Sequence, residues 1–454
     1  MENSKYKVGF GRIDVTSNAA LPLGGYGNSN SRKARAVRNK VYLSCYAITD
    51  QNEETVLILN LDTCVTVEYL FNRAVKDIGE KYGIPESRIF LTSTHTHSAP
   101  DPRAVENPDL VYYIDNIVEP NLVVCAGKAL DDRAPAELFI GDVEAEGLNF
   151  VRHYKADPPS GEPFYFGDNF NNHLETPEIV RKYTTHATKA DPTVHLLKFV
   201  REGAKDLIMI NWRAHATLTG GINKYDLSSD FPGETRNIIE ESTGCYFTYF
   251  QGAAGNINAK TRIDGERITE DCTAYSNIFA GIIMKGLENL KPLELKPFKF
   301  TAKAVTVDVN HLQDSMADKA KEVWDYFVET GSRAKANELG RKYGFNSIYH
   351  AAAVRRKKGE SKTRTLNINA FSIGELGFIT APNELFDTTS VHIEERAPYE
   401  KVITLGYCNG SMGYIPTKEA FEYGCYEADN SSYAPGTAEK LEEEFVDMLK
   451  SLKE

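Results

Sequence analysis

The first third of the chain alternates short apolar runs with longer stretches of helical periodicity. Residues 55–62 form a nearly continuous apolar run that ends in an acid, and this pattern predicts a buried central strand. Residues 69–82 place apolar side chains at helical spacing and precede Gly83, which predicts a helix with a glycine C-cap. Residues 89–93 predict the next strand. The order strand, helix, strand predicts an α/β fold, with a mixed, partly parallel β-sheet flanked by helices.

Later apolar runs extend this pattern. A second helix is predicted over residues 110–130, and residues 436–453 have the apolar stripe of a terminal amphipathic helix. Two runs, 193–200 and 206–212, predict a β-hairpin. Further strands are predicted over residues 246–250, 365–373, 377–380 and 402–405. The chain has no internal repeat, and its length allows one large domain or two or three. A single domain over residues 1–454 is what the resemblance described below implies.

Two segments depart from the alternation. Residues 154–189 lack periodicity and are rich in Pro, Gly, Asn and aromatic residues. Such a stretch is typical of a loop that faces a substrate, or of a surface insertion that packs on itself. Residues 312–358 predict two helices outside the sheet, joined near Gly331 and Gly344.

Composition narrows the function classes. The chain has 454 residues, a formal net charge of −12 and a pI near 5.5, which argues against nucleic acid and anionic membranes as partners. No segment has the length and apolarity of a signal peptide or membrane span, so we predict a cytoplasmic protein without stable membrane association. Seven scattered cysteines without a Cys-x-x-Cys pair fit reduced thiols and not a cysteine-based metal site. The sequence assigns no oligomeric state.

Two histidines stand at the end of the strand predicted over residues 89–93. His95 and His97 are spaced i, i+2, and in an extended segment such residues point to the same side. Neutral imidazole is the commonest metal ligand, so the pair is a candidate metal site. The alternative is a pair of hydrogen-bonded histidines among hydroxyl residues.

Two further candidate ligands also follow apolar runs. His215 comes after the run 206–212, and Glu384 comes after the run 377–380, in the first turn of a helix predicted to begin at Pro382. The carboxyl ends of parallel strands share one edge of a sheet, where ligands bind. Two or three histidines and one carboxylate, with a position left open for water, are the usual ligands of a catalytic zinc.

The remaining polar candidates have less specific patterns. His195 alternates with apolar residues and is predicted to be a sheet histidine, whereas His311, His350 and His392 are predicted at the surface. The glycine-rich turn at Gly255 offers backbone N–H groups for an oxyanion, although a tight turn explains it equally well. Three aspartates follow strand or motif positions and either orient ligand histidines or cap local structure, namely Asp62, Asp101 and Asp230.

Several motifs occur in an order that is typical of one enzyme family. They are Thr94-His95-Thr96-His97-Ser98-Ala99-Pro100, Ala214-His215-Ala216-Thr217, Ser229-Asp230-Phe231-Pro232-Gly233, Gln251-Gly252-Ala253-Ala254-Gly255-Asn256, Ala381-Pro382-Asn383-Glu384 and Tyr414-Ile415-Pro416-Thr417. From Gly9 to about Glu427 the chain resembles neutral ceramidases in the order of these motifs. The resemblance implies the catalytic-domain fold of that family without its C-terminal immunoglobulin-like domain, as in the shorter ceramidase-like bacterial hydrolases.

The resemblance also implies the site. The family's zinc ligands fall on His95, His215 and Glu384, with one Zn²⁺ per chain. His97 lies beside the metal as a proton donor or oxyanion stabiliser, and Arg152 matches a family arginine near the site.

Two motifs depart from the family pattern. The fourth family ligand is a tyrosine in an Asn-x-Tyr-x-x-Tyr pattern, and Ser411 takes its place here, with Tyr414 as the second tyrosine. The family's Gly-Asp-x-Ser loop reads Gly255-Asn256-Ile257-Asn258. We assign Tyr414, Gly255, Asn256 and Asn258 to substrate binding.

The function predicted from these features is a zinc-dependent hydrolase that cleaves an amide (N-acyl) bond with metal-activated water. The polar, aromatic segment 154–189 suits a small soluble substrate such as an N-acylated amino sugar. Two alternatives stay open. One is a two-metal phosphate or sulfate ester hydrolase that adds Asp62 or Asp230, and the other is an inactive homologue that binds a ligand.

Overall fold

The computed structural model of the chain describes residues 6–26, 32–159, 162–167, 183–261, 263, 269 and 271–454. Within these residues, the largest sheet has nine strands and contains parallel and antiparallel pairs. Eight of its strands lie side by side in the order Tyr246–Gln251, Leu207–Trp212, Thr193–Arg201, Ala134–Glu144, Tyr6–Asp14, Tyr42–Thr49, Thr55–Leu61 and Ile89–Ser93. The ninth strand, Lys291–Leu293, pairs with Ala134–Glu144.

The continuous apolar run of the central strand is explained by burial on both faces. Leu57 and Leu59 pack against helices on one face of the sheet, and Val56 and Ile58 pack against a second sheet on the other. The predicted helix forms as Glu68–Tyr82 and ends at Gly83, whose φ of +68° is accessible to glycine at little cost. It leads into the strand Ile89–Ser93, which runs parallel to Thr55–Leu61.

The second sheet has four strands among the described residues. They are Lys299–Asp308, Thr363–Ile373, Leu376–Thr380 and Lys401–Leu405. The two sheets pack face to face, with Phe90 of the large sheet stacked on Phe371 of the small one at 5.0 Å between ring centroids. The C-terminal helix covers the outer face of the small sheet. The layers are therefore helix, sheet, sheet and helix, and the predicted mixed α/β fold is confirmed.

Shorter strands and the helices complete the described residues. The short strands are Ala36–Val37, Phe150–Val151, His153–Ala156, Phe164–Gly167, Thr184–His186, Asp226–Leu227, Ile257–Asn258, Glu384–Leu385 and Tyr414–Ile415. The α-helices are Glu68–Tyr82, Pro108–Tyr113, Glu119–Asp131, Asp230–Thr243, Cys272–Leu287, Ala317–Thr330, Arg333–Lys342, Ile348–Lys357, Asp387–Arg396, Lys418–Tyr423, Tyr426–Asn430 and Thr437–Lys453. A π-helical turn, Ile114–Val118, joins the second and third helices. No helix among the described residues combines the length and apolarity needed to cross a membrane.

The prediction of two helices over residues 312–358 is wrong. Three helices form here, because Ser332 and Ser347 each accept a hydrogen bond from a backbone N–H three residues on and so begin a new helix. The prediction of His350 at the surface is also wrong. His350 lies in the first turn of the third helix, is buried, and contacts the side-chain oxygen of Gln313 through Nε2 at 2.6 Å.

The segment 154–189 is partly regular where the structure describes it. His153–Ala156 pairs with Thr184–His186 on one side and with Phe164–Gly167 on the other, forming a three-stranded sheet. This corrects the prediction of a segment without secondary structure. Residues 160–161 and 168–182, nearly half of the predicted substrate-facing loop, lie outside the described residues.

Candidate metal centre

The candidate metal centre lies where several strands of the two sheets end. His95 follows the strand Ile89–Ser93 and has a φ of +58°, so the chain turns out of the sheet at this residue. The following segment lies against the one that carries His215, since the backbone N–H of His97 donates to the carbonyl of Ala216 at 3.0 Å. The segment at Asn258 lies against the other side of His215. Backbone pairing therefore places both histidine segments side by side.

Backbone carbonyls orient the two candidate ligand histidines. Nδ1 of His95 contacts the carbonyl oxygen of Cys64 at 2.5 Å, and Nδ1 of His215 contacts that of Ile257 at 2.9 Å. Because a carbonyl only accepts hydrogen bonds, each Nδ1 carries the hydrogen and each Nε2 has a free lone pair. A histidine that binds a metal through Nε2 must be in this tautomer, with its hydrogen on Nδ1.

The Nε2 atoms of both histidines converge on one carboxylate oxygen. Oε2 of Glu384 lies 3.9 Å from Nε2 of His95 and 3.5 Å from Nε2 of His215. All three side chains are buried, and Nε2 of His215 has no hydrogen-bond partner among the described residues. Ligand atoms that share a zinc ion lie about 2.0–2.3 Å from the metal, so they come within about 3–4 Å of one another. The donor set and its spacing fit a divalent cation such as zinc.

The lowered pKa values of His95 and His215 also favour a metal site here. Burial, together with the neighbouring His215, lowers the pKa of His95 to about 3. Burial and the charge of Arg152 lower the pKa of His215 to about 3. Both imidazoles are therefore neutral at physiological pH, and neutral imidazole is the form that binds metals.

Glu384 reaches the cluster from a strand and not from a helix. The prediction that Glu384 lies in the first turn of a helix beginning at Pro382 is wrong, because Glu384–Leu385 pairs in parallel with Tyr414–Ile415. The backbone N–H of Glu384 donates to the carbonyl of Gly413 at 3.0 Å, and the helix begins only at Asp387. This pairing joins residues about 30 positions apart and was not visible in local periodicity.

His97 lies next to the cluster without contacting Glu384. Its Nε2 is 3.1 Å from Nε2 of His95, although the positive φ of His95 means that the segment is not extended as predicted. Its Nδ1 is buried without a hydrogen-bond partner among the described residues. Cys64, His95 and His97 form a second group of candidate ligands that shares His95. Burial raises the pKa of the Cys64 thiol to about 12. Cys64 would have to lose its proton to bind a metal, whereas His95, His215 and Glu384 would not have to lose one.

Arg152 is fixed at the edge of the cluster by two hydrogen bonds. It donates to Oε1 of Glu427 at 2.5 Å and to the carbonyl of Gly255 at 2.7 Å, and its guanidinium faces the ring of Tyr414 at 5.6 Å. Glu427 was missed by the sequence analysis. Burial raises the pKa of Glu427, but Arg152 and His153 outweigh burial, so the pKa lies below its ordinary value. The carboxylate is therefore ionised and holds the arginine in place.

A third group of candidate ligands, His153, Cys425 and Glu427, is a satisfied hydrogen-bond network. Nε2 of His153 contacts Oε2 of Glu427 at 2.8 Å, and its Nδ1 contacts the hydroxyl of Tyr423 at 2.7 Å. Both ring nitrogens are thus occupied. This group holds Arg152 and does not compete with His95, His215 and Glu384 for a metal.

The three predicted aspartates accept hydrogen bonds from groups other than the ligand histidines. Asp62 accepts from Arg236 at 2.9 Å, Asp101 accepts from Arg103 at 2.9 Å, and Asp230 accepts from the backbone N–H of Leu218 at 3.2 Å. Nδ1 of His95 and of His215 contact the carbonyls described above, and the orienting role of the aspartates stays a prediction. Among the described residues, neither Asp62 nor Asp230 belongs to a group of candidate ligands, so the two-metal alternative receives no support.

The N–H group of Gly255 in the glycine-rich turn bonds to the segment that carries Glu384 and is not free. The backbone N–H of Gly255 donates to the carbonyl of Leu385 at 2.8 Å, so the predicted oxyanion contact from this group is wrong. Asn256 holds the start of the next helix, donating to Asp387 at 2.8 Å. Asn258 lies in the strand beside His215, and Tyr414 is the strand partner of Glu384. The assignment of these residues to substrate binding stays a prediction.

We expect Gly255→Ala to destabilise the fold, because a Cβ there would lie 2.6 Å from the carbonyl oxygen of Glu384. Overpacking of this kind costs about 1–3 kcal/mol. Urea unfolding should show a lower midpoint for Gly255→Ala. Gly281→Ala is the matched control, since a Cβ at this helical glycine meets no atom within 4 Å. Equal destabilisation of both variants would contradict the steric explanation.

Tyr407 is the second residue that the sequence analysis missed. Its hydroxyl donates to Oε2 of Glu384 at 3.3 Å, and its ring stacks on His95 with 3.9 Å between centroids. The signal was present, since Tyr407 comes two residues after the strand Lys401–Leu405, as the histidines come after theirs. Ser411 lies in the following turn and is partly exposed.

Comparison with known proteins gives one consistent result. Residues 6–115 match the family described as neutral/alkaline non-lysosomal ceramidase, N-terminal. Neutral ceramidase of Pseudomonas aeruginosa is 23% identical over 517 aligned positions, which cover 99% of this chain and 72% of that protein. The crystal structure of neutral ceramidase from Pseudomonas aeruginosa has a TM-score of 0.73 at 18% identity, covering 100% of this chain and 75% of that one. A ceramidase complexed with C2 gives 0.71 at 19% identity, with coverages of 99% and 75%.

Proposed function

We propose that the chain, whose residues 6–115 match the neutral/alkaline non-lysosomal ceramidase family, is a zinc-dependent hydrolase of a small, polar N-acyl compound. The observation that carries the proposal is the convergence of two neutral, buried imidazoles on Oε2 of Glu384. Two histidines and a carboxylate leave a coordination position open, as in catalytic zinc sites.

His95, His215 and Glu384 would hold the metal. When bound, zinc supplies a Lewis acid for the scissile carbonyl and makes water a nucleophile at neutral pH. The chain itself prepares the ligands, because the carbonyls of Cys64 and Ile257 keep both Nε2 atoms unprotonated.

His97 is placed to stabilise negative charge on the substrate oxygen. Because Nε2 of His95 carries no hydrogen, the 3.1 Å contact between the two Nε2 atoms requires the N–H of His97 to donate. Burial lowers the pKa of His97 well below its ordinary value, so the imidazole is a neutral donor. Once Nε2 of His95 has another partner, this N–H would be available to donate to an oxyanion.

Arg152 adds a fixed positive charge at the same edge. Its hydrogen bonds to Glu427 and Gly255 hold the guanidinium still, so it needs little reorganisation when charge develops on the substrate. Burial and the charge of Arg152 together lower the pKa of His215, which supports an electrostatic role for Arg152 at the cluster. His97 and Arg152 are therefore assigned to oxyanion stabilisation.

The aromatic residues near Arg152 suit a polar substrate that has a flat, apolar face for stacking. Tyr165 is 36% exposed and stacks on Tyr423 with 5.5 Å between ring centroids. Tyr423 reaches Arg152 through His153 and Glu427. Sugar rings present apolar faces to aromatic side chains, which supports an N-acylated amino sugar as the substrate class. The formal net charge of −12 also fits a soluble substrate and a cytoplasmic enzyme better than an anionic membrane surface.

We expect the zinc-loaded protein to release free amine from N-acyl amino sugars faster than from a short-chain ceramide. The measurement is amine release over a panel of N-acyl sugars, N-acyl amino acids and ceramides, with metal-stripped protein as the blank. A preference for ceramide would overturn the substrate class but not the reaction. Cleavage of phosphate or sulfate esters, without amide cleavage, would overturn the reaction.

A further inference from the structure

Tyr407 brings a phenol oxygen to the same carboxylate oxygen that the two histidines face. Its hydroxyl oxygen lies 3.3 Å from Oε2 of Glu384. Nε2 of His215 and Nε2 of His95 lie 3.5 Å and 3.9 Å from that oxygen. Three potential ligand atoms on three segments of the chain therefore surround one carboxylate oxygen.

The backbone holds Tyr407 there at an energetic cost. Its φ is +53°, a left-handed conformation that is an outlier for a bulky residue and costs about 1–2 kcal/mol. The carbonyl of Tyr407 accepts from the hydroxyl of Thr66 at 3.1 Å. Its ring is 2% exposed and stacks on His95. Strain of this kind persists where the surroundings determine the conformation, and it is concentrated at functional sites.

We propose that Tyr407 is a fourth metal-binding residue of this centre. The inference rests on the proposed function, because it presupposes that His95, His215 and Glu384 hold a metal. The distances of 3.3, 3.5 and 3.9 Å from Oε2 match the separations of about 3–4 Å expected between ligands of one zinc ion. Ser411 occupies the family's tyrosine position but has a short side chain on a partly exposed turn. Tyr407, four residues earlier, is buried and has a phenol oxygen within 3.3 Å of Oε2 of Glu384.

Copper provides the test, because a phenolate bound to Cu²⁺ gives a ligand-to-metal charge-transfer band in the visible. The full-length protein is stripped of metal, loaded with one equivalent of Cu²⁺ and measured as wild type, Tyr407→Phe, Ser411→Ala and Tyr414→Phe. We expect the band in the wild type, its loss in Tyr407→Phe and its retention in the other two variants. We also expect Tyr407→Phe to bind Zn²⁺ roughly tenfold or more weakly.

The outcomes separate this inference from the proposed function. Wild type that binds Cu²⁺ without a phenolate band overturns Tyr407 as a ligand and leaves a positioning contact to Glu384, while the metal site stands. A band that persists in Tyr407→Phe but is lost in Tyr414→Phe also overturns it. Wild type that binds neither Cu²⁺ nor Zn²⁺ overturns the proposed function itself. Tyr407→Phe removes one oxygen atom and keeps the ring on His95, and the wild-type spectrum is informative even if this variant is unstable.

Discussion

Replacing His215 or His95 by alanine is expected to abolish hydrolysis and metal retention together. His215 is fully buried, and its Nε2 has no hydrogen-bond partner among the described residues. Removing one imidazole takes away one of the two nitrogen ligands that would hold the ion beside Glu384, so metal affinity should collapse. Elemental analysis of the purified variants, together with amine release, measures both effects in the same samples.

The matched control is His392→Ala. The side chain of His392 is 55% exposed and contacts Glu442, away from the candidate metal centre. This variant should keep the metal content and turnover of the wild type. If His95→Ala or His215→Ala retains full metal content, the assignment of the metal centre is wrong.

Replacing His97 by alanine is expected to lower kcat by about 10²-fold or more while the metal stays bound. His97 lies 3.1 Å from His95 but is separate from the set formed by His95, His215 and Glu384. Its loss therefore removes an oxyanion donor and no ligand. The experiment measures kcat, KM and metal content of His97→Ala and of His97→Gln, whose side-chain amide retains an N–H donor.

Partial recovery of kcat in His97→Gln relative to His97→Ala would support hydrogen bonding as the role of His97. Loss of metal from both variants would contradict it. That result would favour Cys64, His95 and His97 as the ligands, the second group that shares His95.

Local sequence was sufficient for much of the fold. The helix Glu68–Tyr82 and the strands on either side of it were predictable because periodicity, an apolar run and a glycine cap are properties of neighbouring residues. The same rule found His95 and His215, since each follows an apolar run and the carboxyl ends of strands meet at one edge. The same rule found Glu384, which follows the run 377–380, and the family resemblance implied the same three residues as metal ligands.

What local sequence could not supply was the pairing of distant segments. Glu384 was predicted in a helix because Pro382 suits a helix start, but pairing with Tyr414–Ile415 draws it into a strand. Gly255 was predicted to offer an N–H group, but that group is bonded to Leu385. In each case a hydrogen bond to a remote backbone overrode the local preference.

The sequence by itself determined the strand-end positions of His95 and His215 and the mixed α/β architecture, because these depend on the order of apolar and polar residues. Only the tertiary structure decided which groups surround Oε2 of Glu384. Tyr407 reaches that oxygen through a positive φ and the alignment of Lys401–Leu405 beside Leu376–Thr380. The physical reason is that periodicity describes which face a residue occupies, whereas contact between remote residues is set by how strands pair and layers pack.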